Sequence, residues 1–144
     1  MEVMVEHERT LIGIESRASN EDPQAIGAIW QRFMADKLAD QIPNRADHCL
    51  VAAYCDYDGD HTDPYTFFLG CTVTSSESVP DGFTRRVILS GRYLRREAKG
   101  TMPEALMAEW GSIWTSGIDR LYKLDFEIHN PDQPGCVDIY IGVA

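Results

Sequence analysis

One stretch of this sequence has a similar counterpart later in the chain. Pro23-Gln24-Ala25-Ile26-Gly27-Ala28-Ile29-Trp30 aligns without gaps on Pro103-Glu104-Ala105-Leu106-Met107-Ala108-Glu109-Trp110. Both copies carry apolar residues at helical spacing and end on a tryptophan. A single amphipathic helix cannot hide its own stripe, so each copy needs a sheet face to cover it. The surrounding pattern supplies strands. Val3 to Arg17 reads as extended, with the start left open by Glu6-His7-Glu8. His48 to Tyr57 and Tyr65 to Thr74 read as strands around the turn-rich Asp58–Pro64. After the polar linker Ser75–Gly82, the long run Phe83–Arg96 is extended with a kink at Ser90-Gly91. A strand over Leu124–His129, a turn over Asn130–Gly135 and a strand over Val137–Val143 complete the second half.

Each half therefore reads β-α-β-β. The predicted fold is a single α+β domain over residues 1–144, with module one at 1–74, a linker at 75–82 and module two at 83–144. Two further matches support a duplication: Asp56-Tyr57-Asp58 with Asp125-Phe126-Glu127, and Leu69-Gly70 with Ile141-Gly142. Pseudo-two-fold symmetry would give antiparallel sheets with both helices on one side and a cleft at the seam, on the other side. Asn20 and Thr101 are the predicted helix caps, the latter in a capping box with Glu104. The first helix is expected to run on to Ile42, before Pro43-Asn44.

Leu124-Asp125-Phe126-Glu127-Ile128-His129 alternates with the period of a strand, placing Asp125, Glu127 and His129 on one side. If that side lines a cleft, Glu127 is a charge that wants a cation. Otherwise it pairs with an arginine such as Arg92 or Arg95 and only holds the sheet together.

The chain has a net charge of −10, and residues 1–78 hold 14 acids against 5 bases. Such a surface repels phosphate backbones, which argues against direct nucleic-acid binding. No apolar run approaches the ~20 residues that span a bilayer, so no membrane contact is expected. The start does not resemble a signal peptide, and the four cysteines (Cys49, Cys55, Cys71, Cys136) form no CxxC pair. Both point to reduced thiols in the cytoplasm. Asp56, Asp58, Asp60 and Asp63 do not form an EF-hand, because His61 and Phe67 stand where glycine and glutamate are needed. No metal or cofactor is expected. Phosphate-loop, dinucleotide, nucleophile-elbow and zinc-protease motifs are absent from the sequence.

Tyr54-x-x-Tyr57, Tyr65-x-x-x-x-Gly70, Ser90-Gly91-x-Tyr93, Gly100-x-x-Pro103, Trp110 and Asp125-Phe126-Glu127, in that order, resemble the GyrI-like, AraC-type effector-binding domain family. The resemblance extends over nearly the whole chain. It implies duplicated β-α-β-β modules that bind a small molecule in a central cleft. Some such domains are fused to DNA-binding segments and sense cationic, lipophilic compounds in a multidrug-binding manner. Others stand alone, as this chain would, and some of those hydrolyse cyclopropane-bearing natural products or inhibit DNA gyrase.

The family's acidic pocket residue falls on Glu127, its strand tyrosine on Tyr93 and its helix tryptophan on Trp110. Tyr65, Phe67, Tyr140 and Met107 are further candidates for the pocket wall. Trp30, Trp110 and Trp114 also suit core packing. His129 departs from the family pattern, which often has an aromatic there; a titratable ring at this place would weaken cation binding at low pH.

The expected function is thus binding of a small cationic or aromatic, amphipathic molecule, as an effector-binding or sequestering domain. The alternative is a hydrolase using the same cleft, with Glu127 as general base and Tyr93 as general acid. A third is a protein-interaction role such as gyrase inhibition, with a protein partner or a homodimer.

Overall fold

In the computed structural model the protein is described over residues 2–144, with side chains from His7 onward. Eight antiparallel strands form one continuous sheet with two helices. The strands are β1 (Glu2–Glu6), β2 (Arg9–Ala18), β3 (Leu50–Cys55), β4 (Tyr65–Val73), β5 (Thr84–Ile88), β6 (Gly91–Lys99), β7 (Arg120–His129) and β8 (Cys136–Val143). The helices are α1 (Gln24–Ala35) and α2 (Glu104–Trp114). None is long and apolar enough to cross a membrane.

The order across the sheet is β1-β6-β8-β7-β3-β4-β2-β5. Read outward from the central β3–β7 pair, β3-β4-β2 on one side answers β7-β8-β6 on the other. The two long extended runs expected from sequence are each broken in two. β1 leaves β2 after Glu6 and pairs with β6, while β5 pairs with β2 and only two residues, Leu89 and Ser90, separate it from β6.

That short connection fixes the shape of the sheet. β5 and β6 stand six strand spacings apart, about 29 Å if flat, at ~4.8 Å per spacing. The step from Ile88 to Gly91 can reach only about 11 Å. The step from Glu6 to Arg9 faces the same mismatch. The sheet must therefore curl until its two ends meet.

Curling leaves two unlike faces. On the convex face, Ile29 and Phe33 of α1 pack with Ile12, Ile14, Ala52, Phe67 and Leu69. Trp110 and Ile113 of α2 pack with Leu94, Ile139 and Ile141, and Tyr54 belongs to both clusters. On the concave face Leu11, Val51, Ala53, Phe68, Ile88, Tyr93, Phe126 and Tyr140 fill the inside with no helix over them.

Local details differ from the sequence reading. Neither cap residue makes a side-chain cap bond: Pro23 and Pro103 occupy the cap positions, and at α1 the Asp22 carboxylate accepts from the Gln24 N–H at 3.3 Å. Asn20 instead donates to the His61 carbonyl at 2.7 Å and accepts from the Tyr65 hydroxyl at 2.7 Å. α1 stops at Ala35, followed by left-handed Lys37 and a short 3-10 turn over Leu38–Gln41. The match of Asp56 with Asp125 is not carried by the register. With Leu69 and Ile141 as equivalents, Asp125 corresponds to Ala52, because Ala52 pairs with Leu69 and Asp125 with Ile141.

The tightest contact of the curl is Gly13 opposite Gly70. A Cβ on Gly13 would lie 2.1 Å from the Leu69 carbonyl oxygen and 2.6 Å from the Gly70 Cα. Both are backbone atoms and cannot swing away. Gly13→Ala should therefore cost about 1–3 kcal/mol, lowering the melting temperature by roughly 2–12 °C at ~2–4 °C per kcal/mol. A thermal melt within a degree or so of the parent would contradict this packing.

Candidate functional site

The alternation along β7 holds: Asp125 and Glu127 share a face, and both are buried, at 0% and 1% exposure. That face is the convex one, under the helices. Glu127 pairs with Ala52 and Ile139 across the sheet, and Asp125 with Tyr54 and Ile141, all convex-face residues. The side of the sheet away from the helices is thus not where the carboxylates point.

The two carboxylates, two residues apart, are satisfied differently. Asp125 Oδ2 accepts from Arg120 Nη2 and from the Tyr57 hydroxyl, each at 2.7 Å, while Oδ1 accepts from the Gly142 backbone N–H at 2.9 Å. Arg120 is itself buried, and its guanidinium lies 4.5 Å from the centre of the Tyr122 ring and 5.7 Å from that of Trp110. Asp125 has a fixed cation.

Glu127 does not. Its Oε2 accepts from the Tyr54 hydroxyl at 2.7 Å and from the Trp110 indole N–H at 2.6 Å. His129 Nε2 stands 2.7 Å from Oε1. Two of these donors are neutral, and the third is charged only when the imidazole is protonated. The arginine pairing is ruled out for Arg95, which bonds Glu97 and Asp138. Arg92 precedes Tyr93 on β6 and makes no bond to Glu127.

Aromatic rings enclose the carboxylate. Tyr54 lies 5.2 Å from Phe67, 5.2 Å from Trp110 and 5.7 Å from Tyr65, centre to centre. Trp30 of α1 meets His129 edge-on at 4.8 Å. The twin tryptophans thus close on Glu127 and His129 from the two helices. Further along, His61 is stacked between Trp114 and Tyr122, at 5.8 and 6.2 Å.

Of the residues expected from sequence, Glu127, Trp110, Tyr65 and Phe67 come together. Tyr93 and Tyr140 do not. Both lie on the concave face, where they pack against Phe126, and the Tyr93 hydroxyl donates to the Leu89 carbonyl. The sheet separates Tyr93 from Glu127, so the expected acid–base pair is not assembled. Met107 points outward and is largely exposed. Tyr54, Tyr57, Arg120 and Asp125 were missed as site residues, although Tyr54-x-x-Tyr57 was visible as a motif. The aspartates of the β3–β4 loop serve structural bonds: Asp56 and Asp58 hold Arg86 and Arg17. No metal-ligating group occurs among the described residues.

A cavity of about 540 Å³ lies elsewhere. It opens on the concave side among Leu11, Ala53, Ile88, Tyr93 and Leu124. Of the cations that line it, Arg86 is already held by Glu15 and Asp56. Volume alone does not outweigh a buried carboxylate with no permanent cation beside it, so the candidate site is Glu127.

The sequence matches the integron-associated effector binding proteins over residues 4–143. The chain belongs to that family. No curated protein matches it in sequence. Among solved structures, an integron cassette protein from the mobile metagenome of Vibrio cholerae is 24% identical with a TM-score of 0.83, covering 99% of this chain and 95% of that one. SAV2435, solved with tetraphenylphosphonium bound, is 18% identical with a TM-score of 0.79, covering 99% and 93%. The C-terminal domain of EcmrR is 11% identical with a TM-score of 0.64, covering 99% and 96%. At these identities the neighbours share the GyrI-like effector-binding fold with this chain.

Two outcomes follow from the buried network. Burial, reinforced by Glu127, pushes the Tyr65 phenol up to about 12 and Tyr54 well above its ordinary value; burial and Asp125 do the same for Tyr57. A phenol raised in the folded state lends stability that is complete below pH 10 and lost as pH rises towards 12. Phenolate absorbance at pH 11 should therefore omit these three rings until the protein unfolds, and melting temperature should fall from pH 10 upward. Arg120→Met strands Asp125 as a buried charge and should cost about 3–5 kcal/mol in denaturant unfolding.

Proposed function

We propose that the chain is a small-molecule receptor whose ligand carries a positive charge, held at Glu127 under the paired helices. The observation that supports this is the contrast along β7. Asp125 is neutralised by Arg120, whereas Glu127 is 1% exposed and has only neutral donors and an imidazole. Burying a carboxylate with no permanent counter-charge is costly, and a bound cation removes that cost. The surrounding rings add an attraction of up to about 2 kcal/mol for a desolvated cation over an aromatic face. In this reading Glu127 selects charge, and Tyr54, Tyr65, Phe67, Trp30 and Trp110 select a flat or bulky apolar body. SAV2435 provides a precedent for a cation on this fold.

The packing around Glu127 is closed, so a ligand enters only as side chains or helix α2 move aside. Such a domain sequesters its ligand or reports it to a partner. Its division into two related modules, 1–74 and 83–144, is supported by the mirrored strand order and the repeated helix.

A fluorescence titration with a cationic and a neutral dye, on the parent and on Glu127→Gln, tests the reading. Losing a charged contact worth about 1.5–3 kcal/mol should weaken the cation by roughly 10- to 150-fold and leave the neutral dye little changed. Equal cation affinity in the two proteins would refute it.

A further inference from the structure

His129 sits between Glu127 and helix α1. Its Nε2 is 2.7 Å from Glu127 Oε1, its ring meets Trp30 at 4.8 Å, and its side chain is 21% exposed. A carboxylate only accepts hydrogen bonds, so Nε2 carries a proton in this contact. The neutral ring can make the bond through one tautomer, and the protonated ring makes it with a full charge. The same contact thus serves either as a hydrogen bond or as an ion pair.

The groups around the imidazole leave this choice to Glu127. On β7 itself, Glu127 is in contact and Asp125 lies beyond it, answered by Arg120. From β3 and β4 come the phenols of Tyr54 and Tyr65, held neutral by burial and by Glu127. α1 contributes Trp30 and α2 Trp110, neither of which titrates, and Glu109 of α2 is paired with Arg96. Leu50 and Val137 flank His129 in the sheet.

We propose that His129 is a built-in competitor for the ligand. The protonated imidazole is the internal counter-ion of Glu127, and a ligand cation binds by taking over that role. Each positive charge taken up then releases one proton from His129 Nδ1–H or Nε2–H to solvent. This rests on the reading of Glu127 as the cation receptor. It makes affinity depend on pH: binding is tightest where the ring is neutral and weakens by up to tenfold per unit once the ring is charged.

The test uses tetraphenylphosphonium, whose charge does not titrate, between pH 5.5 and 8.5. The parent should lose affinity on the acid side, while His129→Gln should hold its affinity at pH 5.5 within about threefold of its own value at pH 8.5. Calorimetry of the parent in phosphate and in Bis-Tris, at a pH on the acid limb, should show up to one proton released per ligand and needs no variant. An acid limb that persists in His129→Gln, or binding without proton release, overturns the inference while Glu127→Gln still binds weakly. A parent that binds no tetraphenylphosphonium at any pH overturns the receptor reading and this inference together.

Discussion

The arrangement at the middle of the sheet depends on Asp125. It is fully buried and spends its lone pairs on a buried arginine, a phenol and the backbone of the neighbouring strand. These bonds sit where the pairing of β7 with β8 is irregular, between Arg120 and Asp125, with Tyr122 in a left-handed conformation. An ordinary ladder would continue through that interval. Here the side chain replaces it, tying the bulged part of β7 to Gly142 and holding Arg120 against the rings of Tyr122 and Trp110.

With Asp125 fixed in this way, Glu127 can be left incomplete. Buried charges are normally paired or neutralised, and unpaired ones are costly enough to mark functional places. The two carboxylates share a strand and a face, and differ in their partners: one has an arginine, the other an ionisable imidazole. A change of partner at Glu127 need not disturb the anchor at Asp125.

Much of this was legible in the sequence. The alternation Leu124–His129 put Asp125, Glu127 and His129 together, and the helical spacing placed Trp30 and Trp110 on the two helices. The side of the sheet was not legible. Both faces are buried, one by helices and one by curling, so β4 is buried at nearly every position and shows no alternation to orient it. For the same reason Tyr93 could not be phased against Glu127 without the register of β6 on β8. The breaks at His7-Glu8 and Leu89-Ser90 carry little signal, since what splits those runs is a partner strand more than 70 residues away in the chain, as Val3 with Leu94 and Arg9 with Ile88 show. The cap residues misled because proline took the cap positions and Asn20 was used to pin the β3–β4 loop.

The exchange of leading strands has a consequence for how the molecule comes into being. β1 belongs beside β6 and β5 beside β2, so neither half holds a complete set of pairings of its own. On the ribosome the first strand waits for residues 91–99 before it has a neighbour. Asp125 waits longer still, for the amide of Gly142. The chemistry at the centre of the protein is among the last parts of it to be assembled.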